Sequence, residues 1–190
     1  MMANFFVDGI LHITDIEGYD HMLFLLALCA PFTFKQWKPV VLLATAFTVG
    51  HSISLVLASL DLVRFSSDLI EFLIPVTIVL TASFNLITIT HSTSVSVYRY
   101  LSAAVFGIIH GMGFSSFFRM ISNEGESFIT QLFLFNLGVE AGQLIIVAAI
   151  LSCVALISFI IPAASAKIGK VLGVLSLLLA LFLAIEKWPF

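Results

Sequence analysis

Long apolar stretches separated by short polar segments run through the whole chain. A bilayer core of about 30 Å needs about 20 apolar residues in helical form, so each long stretch predicts a transmembrane helix. Six such helices are expected, at roughly Asp20–Phe34, Val40–Leu60, Leu69–Ile89, Tyr100–Met120, Phe128–Ile161 and Ile168–Ile185. The first stretch is short for a span. The segment from Phe5 onward either extends this helix or enters the membrane separately as a re-entrant segment. The expected number of transmembrane helices is therefore six or seven.

The composition supports the same interpretation. Hydrophobic residues make up 61% of the 190-residue chain and charged residues 10%, whereas a soluble domain has about 45–50% and about 25%. We therefore expect an all-α integral membrane protein, with residues 1–190 forming a single polytopic membrane domain. The net charge of -3 offers no basic surface for nucleic acid.

The distribution of charges predicts an orientation. Five of the cations fall on one side of the predicted bundle: Lys35, Lys38, Arg99, Lys167 and Lys170. The other side carries Arg64, Arg119 and Lys187 together with Asp8, Asp15, Glu17, Asp61, Asp68, Glu124 and Glu126. By the positive-inside rule both termini lie outside. The membrane is expected to be a bacterial cytoplasmic membrane. The outer face is then acidic, and an acidic surface concentrates cations.

Ionisable residues inside the apolar stretches are the candidates for chemistry. Each costs at least ~2.5–3.5 kcal/mol to place in a bilayer, so it normally faces a cavity or a partner. The predicted topology puts them all in the outer half or near the midplane. We predict that they converge on one divalent-metal site, formed by His12, Asp20, His21, His51, His110 and Glu140. Glu71 is a weaker candidate for the wall of that cavity.

Each of these residues also has a structural interpretation. His51 or His110 could be a neutral imidazole that is hydrogen-bonded within the core. For His110 the partner would be a neighbouring carbonyl. Glu140 belongs to a polar stripe with Asn136 and Gln143, and this stripe could be a seam of hydrogen bonds between helices. Asp20 could cap a helix and Glu71 could favour a helix dipole. His91, in the polar segment THSTS, is expected to be solvated.

Two glycine pairs predict close helix packing. Gly107-x3-Gly111 and Gly138-x3-Gly142 place small residues one turn apart on the fourth and fifth predicted spans. Such pairs allow helix backbones to approach closely in lipid. The expectation is that these two spans pack against each other, which would bring His110 near Glu140.

The ordered set of motifs resembles the HupE/UreJ family of small membrane proteins. It runs from His12-x7-Asp20-His21 through Thr45-x5-His51-Ser52 and HGMGF at His110 to FNLGVEAGQ around Glu140. The resemblance implies six or seven transmembrane helices and a role in nickel or cobalt uptake for hydrogenase and urease. Seven residues stand between His12 and Asp20 where hydrogenase-linked members have five, and Glu140 lies on the helix after His110. The chain therefore resembles a divergent branch.

Imidazole and carboxylate ligands suit nickel, cobalt or zinc. The prediction is a divalent-metal permease or a metal-binding accessory membrane protein, whose partners are the cation and the lipid bilayer; a homo-oligomer is left open. The alternative is a zinc-dependent intramembrane hydrolase in which Asp20 or Glu140 acts as general base. A regulatory subunit with a fixed metal is a third interpretation. No Walker motif is present, which argues against nucleotide-driven pumping.

Overall fold

The chain folds into a bundle of α-helices. The structure, a computed structural model, describes residues 4–60, 62–63, 65–88, 96–121, 127–164 and 167–189. This part of the chain contains seven α-helices and no strand: α1 Phe5–Thr14, α2 Asp20–Cys29, α3 Trp37–Ser59, α4 Ser67–Thr88, α5 Val97–Ile121, α6 Phe128–Ile160 and α7 Ile168–Glu186. Four described segments are long and apolar enough to cross a membrane: Phe34–Ala58, Ser67–Thr88, Phe128–Ile160 and Ile168–Glu186. The prediction of an all-α membrane bundle is confirmed.

The first predicted span is replaced by two short helices. Both α1 and α2 have ten residues, which is about 15 Å or half of a bilayer core. A turn separates the two helices. In this turn the Oδ1 of Asp15 accepts a hydrogen bond from the backbone N–H of Glu17 at 2.9 Å. The predicted end at Phe34 was wrong, because α2 stops at Cys29, just before Pro31. The segment from Phe5 forms a helix of its own.

The helix α1 runs parallel to α6. Gly9 lies against the backbone of Phe135 and Val139, while further along both helices Gly142 lies against Ile10 and Ile13. Near the start of both helices, the ring of Phe5 lies 6.5 Å from that of Phe118, which in turn lies 5.9 Å from that of Phe128.

The helix α2 continues in the same direction. His21 faces His51 and Phe24 stacks on Phe47, so α2 is antiparallel to α3. Because α3 is itself antiparallel to α6, α1 and α2 run in the same direction, joined by the turn at residues 15–19. Short helices interrupted by a turn are where membrane proteins commonly build ion sites.

Glycines bring two pairs of helices into backbone contact, and the predicted pairing was wrong. A Cβ on Gly107 would overlap the carbonyl of Phe47, so α5 packs in parallel on α3. A Cβ on Gly138 would overlap the carbonyl of Phe6, so α6 packs on α1. The spacing of small residues indicates that another helix approaches closely, but it does not identify which helix this is. The two glycine pairs thus face different helices, and they do not bring His110 to Glu140.

The bundle has two chemically distinct ends. The basic end carries the starts of α3, α5 and α7, with Lys35, Lys38, Arg99, Lys167 and Lys170. The acidic end carries the turn before α2, the start of α4 and the end of α7, with Asp15, Glu17, Asp68, Glu71 and Glu186.

Both described chain ends lie at the acidic end, where the ring of Trp188 meets that of Phe72 at 5.1 Å. Which side of the membrane this end faces stays a prediction. Several predicted positions lie outside the described residues or side chains: Asp61, Arg64, His91, Arg119, Glu124 and Glu126.

Candidate metal centre

Imidazoles from α1 and α2 meet near the turn that joins these two helices. His12 lies in the last turn of α1 and His21 in the first turn of α2, and their ring centroids are 4.7 Å apart. His51 approaches from α3. One ligand atom from each of these three side chains lies within 4.8 Å of the other two. This spacing lets one cation reach all three after small rotations of the rings.

A fourth imidazole lies beside these three. His110, on α5, has its ring centroid 5.3 Å from that of His21. The glycine packing of α5 on α3 explains its position, because it holds His110 and His51 on adjacent, parallel backbones. We call His12, His21, His51 and His110 the histidine cluster. His51 and His110 are 0% and 1% exposed, so the cluster lies in the interior of the bundle.

Hydrogen bonds set the tautomers of the two deepest imidazoles. The Nδ1 of His110 lies 2.8 Å from the carbonyl oxygen of Phe106. The Nδ1 of His51 lies 3.4 Å from the Oδ1 of Asn136, whose amide nitrogen donates to the carbonyl of Leu132. Both oxygens only accept, so each Nδ1 carries the proton and each Nε2 carries a lone pair. This is the usual form of a metal-binding histidine.

Asp20 lies beside the third imidazole, that of His21. Its Oδ1 accepts the backbone N–H of His21 at 2.7 Å and lies 2.9 Å from the Nδ1 of the same residue, without hydrogen-bond alignment to that nitrogen. A carboxylate this close favours a proton on Nδ1 and raises the basicity of the other nitrogen. Asp20 also lines a cavity of about 480 Å³ at the acidic end, so it connects that cavity with the cluster.

The chemistry of the donor set fits a transition-metal cation. Within the described residues, the Nε2 atoms of His12, His21, His51 and His110 are buried and have no hydrogen-bond partner. A buried polar atom without a partner costs about 1–3 kcal/mol, so four of them so close together would be expensive without a ligand. Neutral imidazole nitrogens bind nickel, cobalt, copper and zinc. The residues therefore suit such an ion.

Phenyl rings enclose the cluster, and sequence reasoning did not single them out. The ring of Phe114 lies 3.7 Å from that of His12, and Phe47 lies 5.0 Å and Phe24 5.6 Å from His110. These rings exclude water and strengthen electrostatic interactions with a bound cation. With 19 phenylalanines in the chain, no spacing in the sequence marked these three.

Glu140 occupies a second level of the interface between α3 and α6. Its Oε1 accepts a 2.6 Å hydrogen bond from Thr45, while its Oε2 is buried and has no partner among the described residues. Thr45 precedes His51 by six residues, about 9 Å along α3 toward the basic end. Next to it, Thr48 donates to Gln143 at 3.0 Å. We call Thr45, Thr48, Glu140 and Gln143 the Glu140 level.

Glu71 lies in the cavity at the acidic end. Its Oε2 accepts from the Nζ of Lys187 at 2.8 Å, and both side chains are about half exposed. This hydrogen bond raises the pKa of Lys187 above its ordinary value. Glu17, Asp20 and Glu186 line the same cavity, so carboxylates surround the approach to Asp20 and His21.

Comparison with protein families identifies the class. The family model described as HupE / UreJ protein matches residues 1–187, and the chain belongs to the HupE/UreJ family. This is a family of membrane proteins that handle nickel and cobalt. Searches of the curated proteins and of the solved structures found no match. Neither the family nor the described site supports the hydrolase alternative.

Proposed function

We propose that this chain is a permease for a divalent nickel or cobalt cation, which binds at the histidine cluster. The observation that carries the proposal is the set of four Nε2 atoms that are buried and have no partner among the described residues, beside the turn between α1 and α2. Membership of the family supports nickel or cobalt over zinc.

The surroundings of the cluster favour transport over permanent storage. A transported cation needs an attractive approach, and the carboxylates around the cavity at the acidic end provide one. Asp20 belongs both to that cavity and to the cluster. A cation that loses water in the cavity therefore meets His21 next.

The cation also needs a way out, and the Glu140 level supports one. Its free carboxylate oxygen lies on the side of the cluster toward the basic end. Three oxygen-bearing side chains accompany it, and oxygen donors hold nickel and cobalt less firmly than imidazole does. We assign Glu140 to this second position rather than to the cluster itself, with Thr45 holding its other oxygen.

Binding and transport are tested separately. Isothermal titration of the purified protein with Ni²⁺ and Co²⁺ measures binding. Uptake into proteoliposomes that contain a metal-sensitive dye measures transport. His51→Ala and His110→Ala should each lower the affinity at least about tenfold, since each removes a ligand or its neighbour. His91→Ala is the matched control, because the sequence places that histidine in a polar segment.

The outcomes distinguish the candidates. Loss of both binding and uptake in the two cluster variants, with normal behaviour of His91→Ala, supports the permease. Tight binding by the parent protein with no uptake in either direction would favour an accessory protein with a fixed metal. Unchanged affinity in both cluster variants would contradict the site itself.

A further inference from the structure

We infer that the basic end of the bundle binds a phospholipid with an anionic headgroup, in a cavity between α4 and α5. The cavity has a volume of about 270 Å³ and is separate from the one at the acidic end. This inference does not depend on metal transport, because it uses other residues and another ligand.

The walls of the cavity are apolar and it opens toward the perimeter of the bundle. Phe24 and Phe106 line its deep side. At its mouth, Leu80, Phe84 and Tyr98 also line it, and they are 55%, 48% and 78% exposed. Exposed apolar side chains on a membrane-spanning helix face acyl chains. A chain from the surrounding lipid can therefore enter between α4 and α5 without crossing a polar surface.

Among the described residues that line this cavity, Arg99 alone carries a charge. It is partly buried, and its guanidinium lies 5.1 Å from the ring centroid of Phe84 and 5.7 Å from that of Phe32. One Nη donates to the hydroxyl of Thr88 at 2.7 Å. A guanidinium has five N–H donors in a planar fork, so donors remain for the two oxygens of a phosphodiester.

The charge of Arg99 has no counterpart in this chain at this end of the bundle. The sequence contains no Asp or Glu from residue 21 to 60, from 72 to 123 or from 141 to 185. These ranges include every loop at the basic end. A partly buried cation is expensive unless an anion accompanies it, and here that anion must come from outside the chain.

These features select the chemical class of the ligand. A metal cation is disfavoured, because guanidinium would repel it and the walls offer few oxygen ligands. A soluble anion would gain nothing from the phenyl-lined depth of the cavity. A phospholipid satisfies both parts, because its acyl chain fills the apolar space while its phosphate pairs with Arg99. Basic pockets between transmembrane helices bind anionic lipid headgroups in this manner.

Native mass spectrometry of the full-length protein tests the inference. The protein is titrated with phosphatidylglycerol and with phosphatidylcholine that has identical acyl chains. We expect the parent protein to prefer phosphatidylglycerol by about fivefold. Arg99→Gln should abolish this preference. Lys167→Gln, at the same end but not lining the cavity, should leave it intact.

A second variant keeps the inference testable if Arg99→Gln fails to fold. Ser102 is exposed and lines the cavity, so Ser102→Phe should occlude the mouth and remove bound lipid while leaving Arg99 in place. Equal retention of the two lipids by the parent would overturn the inference. So would normal selectivity in both variants, equal loss in Lys167→Gln, or displacement of the lipid by inorganic phosphate at millimolar concentration.

Discussion

The histidine cluster and the Glu140 level differ in which polar atoms they leave without a hydrogen-bond partner. Among the described residues, five imidazole nitrogens of the cluster are buried without one, the four Nε2 atoms and the Nδ1 of His21. At the Glu140 level, two threonine hydroxyls donate to Glu140 and Gln143, and the Oε2 of Glu140 is left without a partner in the described part of the chain. The first level suits firm binding of a transition metal and the second suits a brief contact. Polar residues within the membrane are thus not equivalent. The number of free ligand atoms that converge on one point distinguishes a site that binds the cation firmly from one that the cation only passes.

The largest effect is expected from the backbone that positions the cluster. Gly107→Ala should abolish metal binding and lower the thermal stability, because the added Cβ overlaps the carbonyl of Phe47 and forces α5 away from α3. Gly18→Ala is the matched control, since a Cβ there meets nothing within 4 Å. Metal content after purification and a melting curve measure both variants. Normal metal content in Gly107→Ala would show that the position of His110 does not matter.

Next in size is the removal of the carboxylate beside His21. Asp20→Asn keeps the shape of the side chain but loses its charge, so the ring of His21 is less well oriented and less basic. We expect the affinity for Ni²⁺ to fall about 10–100-fold. Glu71→Gln, in the same acidic cavity, should change the affinity little. A similar loss in both variants would mean that Asp20 acts only through the general field of the cavity.

Acidification should weaken binding at the cluster. Metal and proton compete for the same imidazole lone pair, so the neutral form binds and the protonated form does not. Affinity is therefore expected to be full at neutral pH and to fall once the pH is low enough to protonate the buried imidazoles. Titrations at several pH values in one buffer series measure this. Affinity independent of pH would point to carboxylate ligands.

The smallest effect on affinity is expected at the second level. Glu140→Gln should leave Ni²⁺ affinity within about twofold, because the cluster retains all its imidazoles, while uptake into proteoliposomes should slow markedly. Thr45→Val is the companion variant, since it frees the other carboxylate oxygen. If Glu140→Gln abolished binding at equilibrium, Glu140 would belong to the cluster and the distinction between the two levels would disappear.

Much of the architecture follows from local features of the chain. Apolar stretches of about 20 residues specify membrane helices, because each helix satisfies its own backbone hydrogen bonds in lipid. The described helices α3, α4, α6 and α7 accordingly lie close to their predicted ranges. The ordered motifs were also sufficient for the family, since they resembled the HupE/UreJ pattern that the family model matches.

Which helices pack against each other, and how deep each polar side chain lies, were decided only by the tertiary structure. The glycine pairs indicated close helix packing, but whether Gly107 contacts α3 or α6 depends on the whole arrangement of helices. Hydropathy likewise predicted a span from Asp20 but could not establish α1 as a helix of its own, because ten residues are too few to cross a bilayer. The turn between α1 and α2 brings His12 to His21.

Glu140 shows the same limit in another way. Its rough depth was readable from its position in α6, yet a difference of about 9 Å along a helix separates a ligand of the cluster from a residue of the next level. Only the side-chain contacts of Thr45 and Asn136 resolve that difference. The sequence therefore identifies which residues are costly to bury in lipid. The three-dimensional packing determines which of them lie close enough together to form one site.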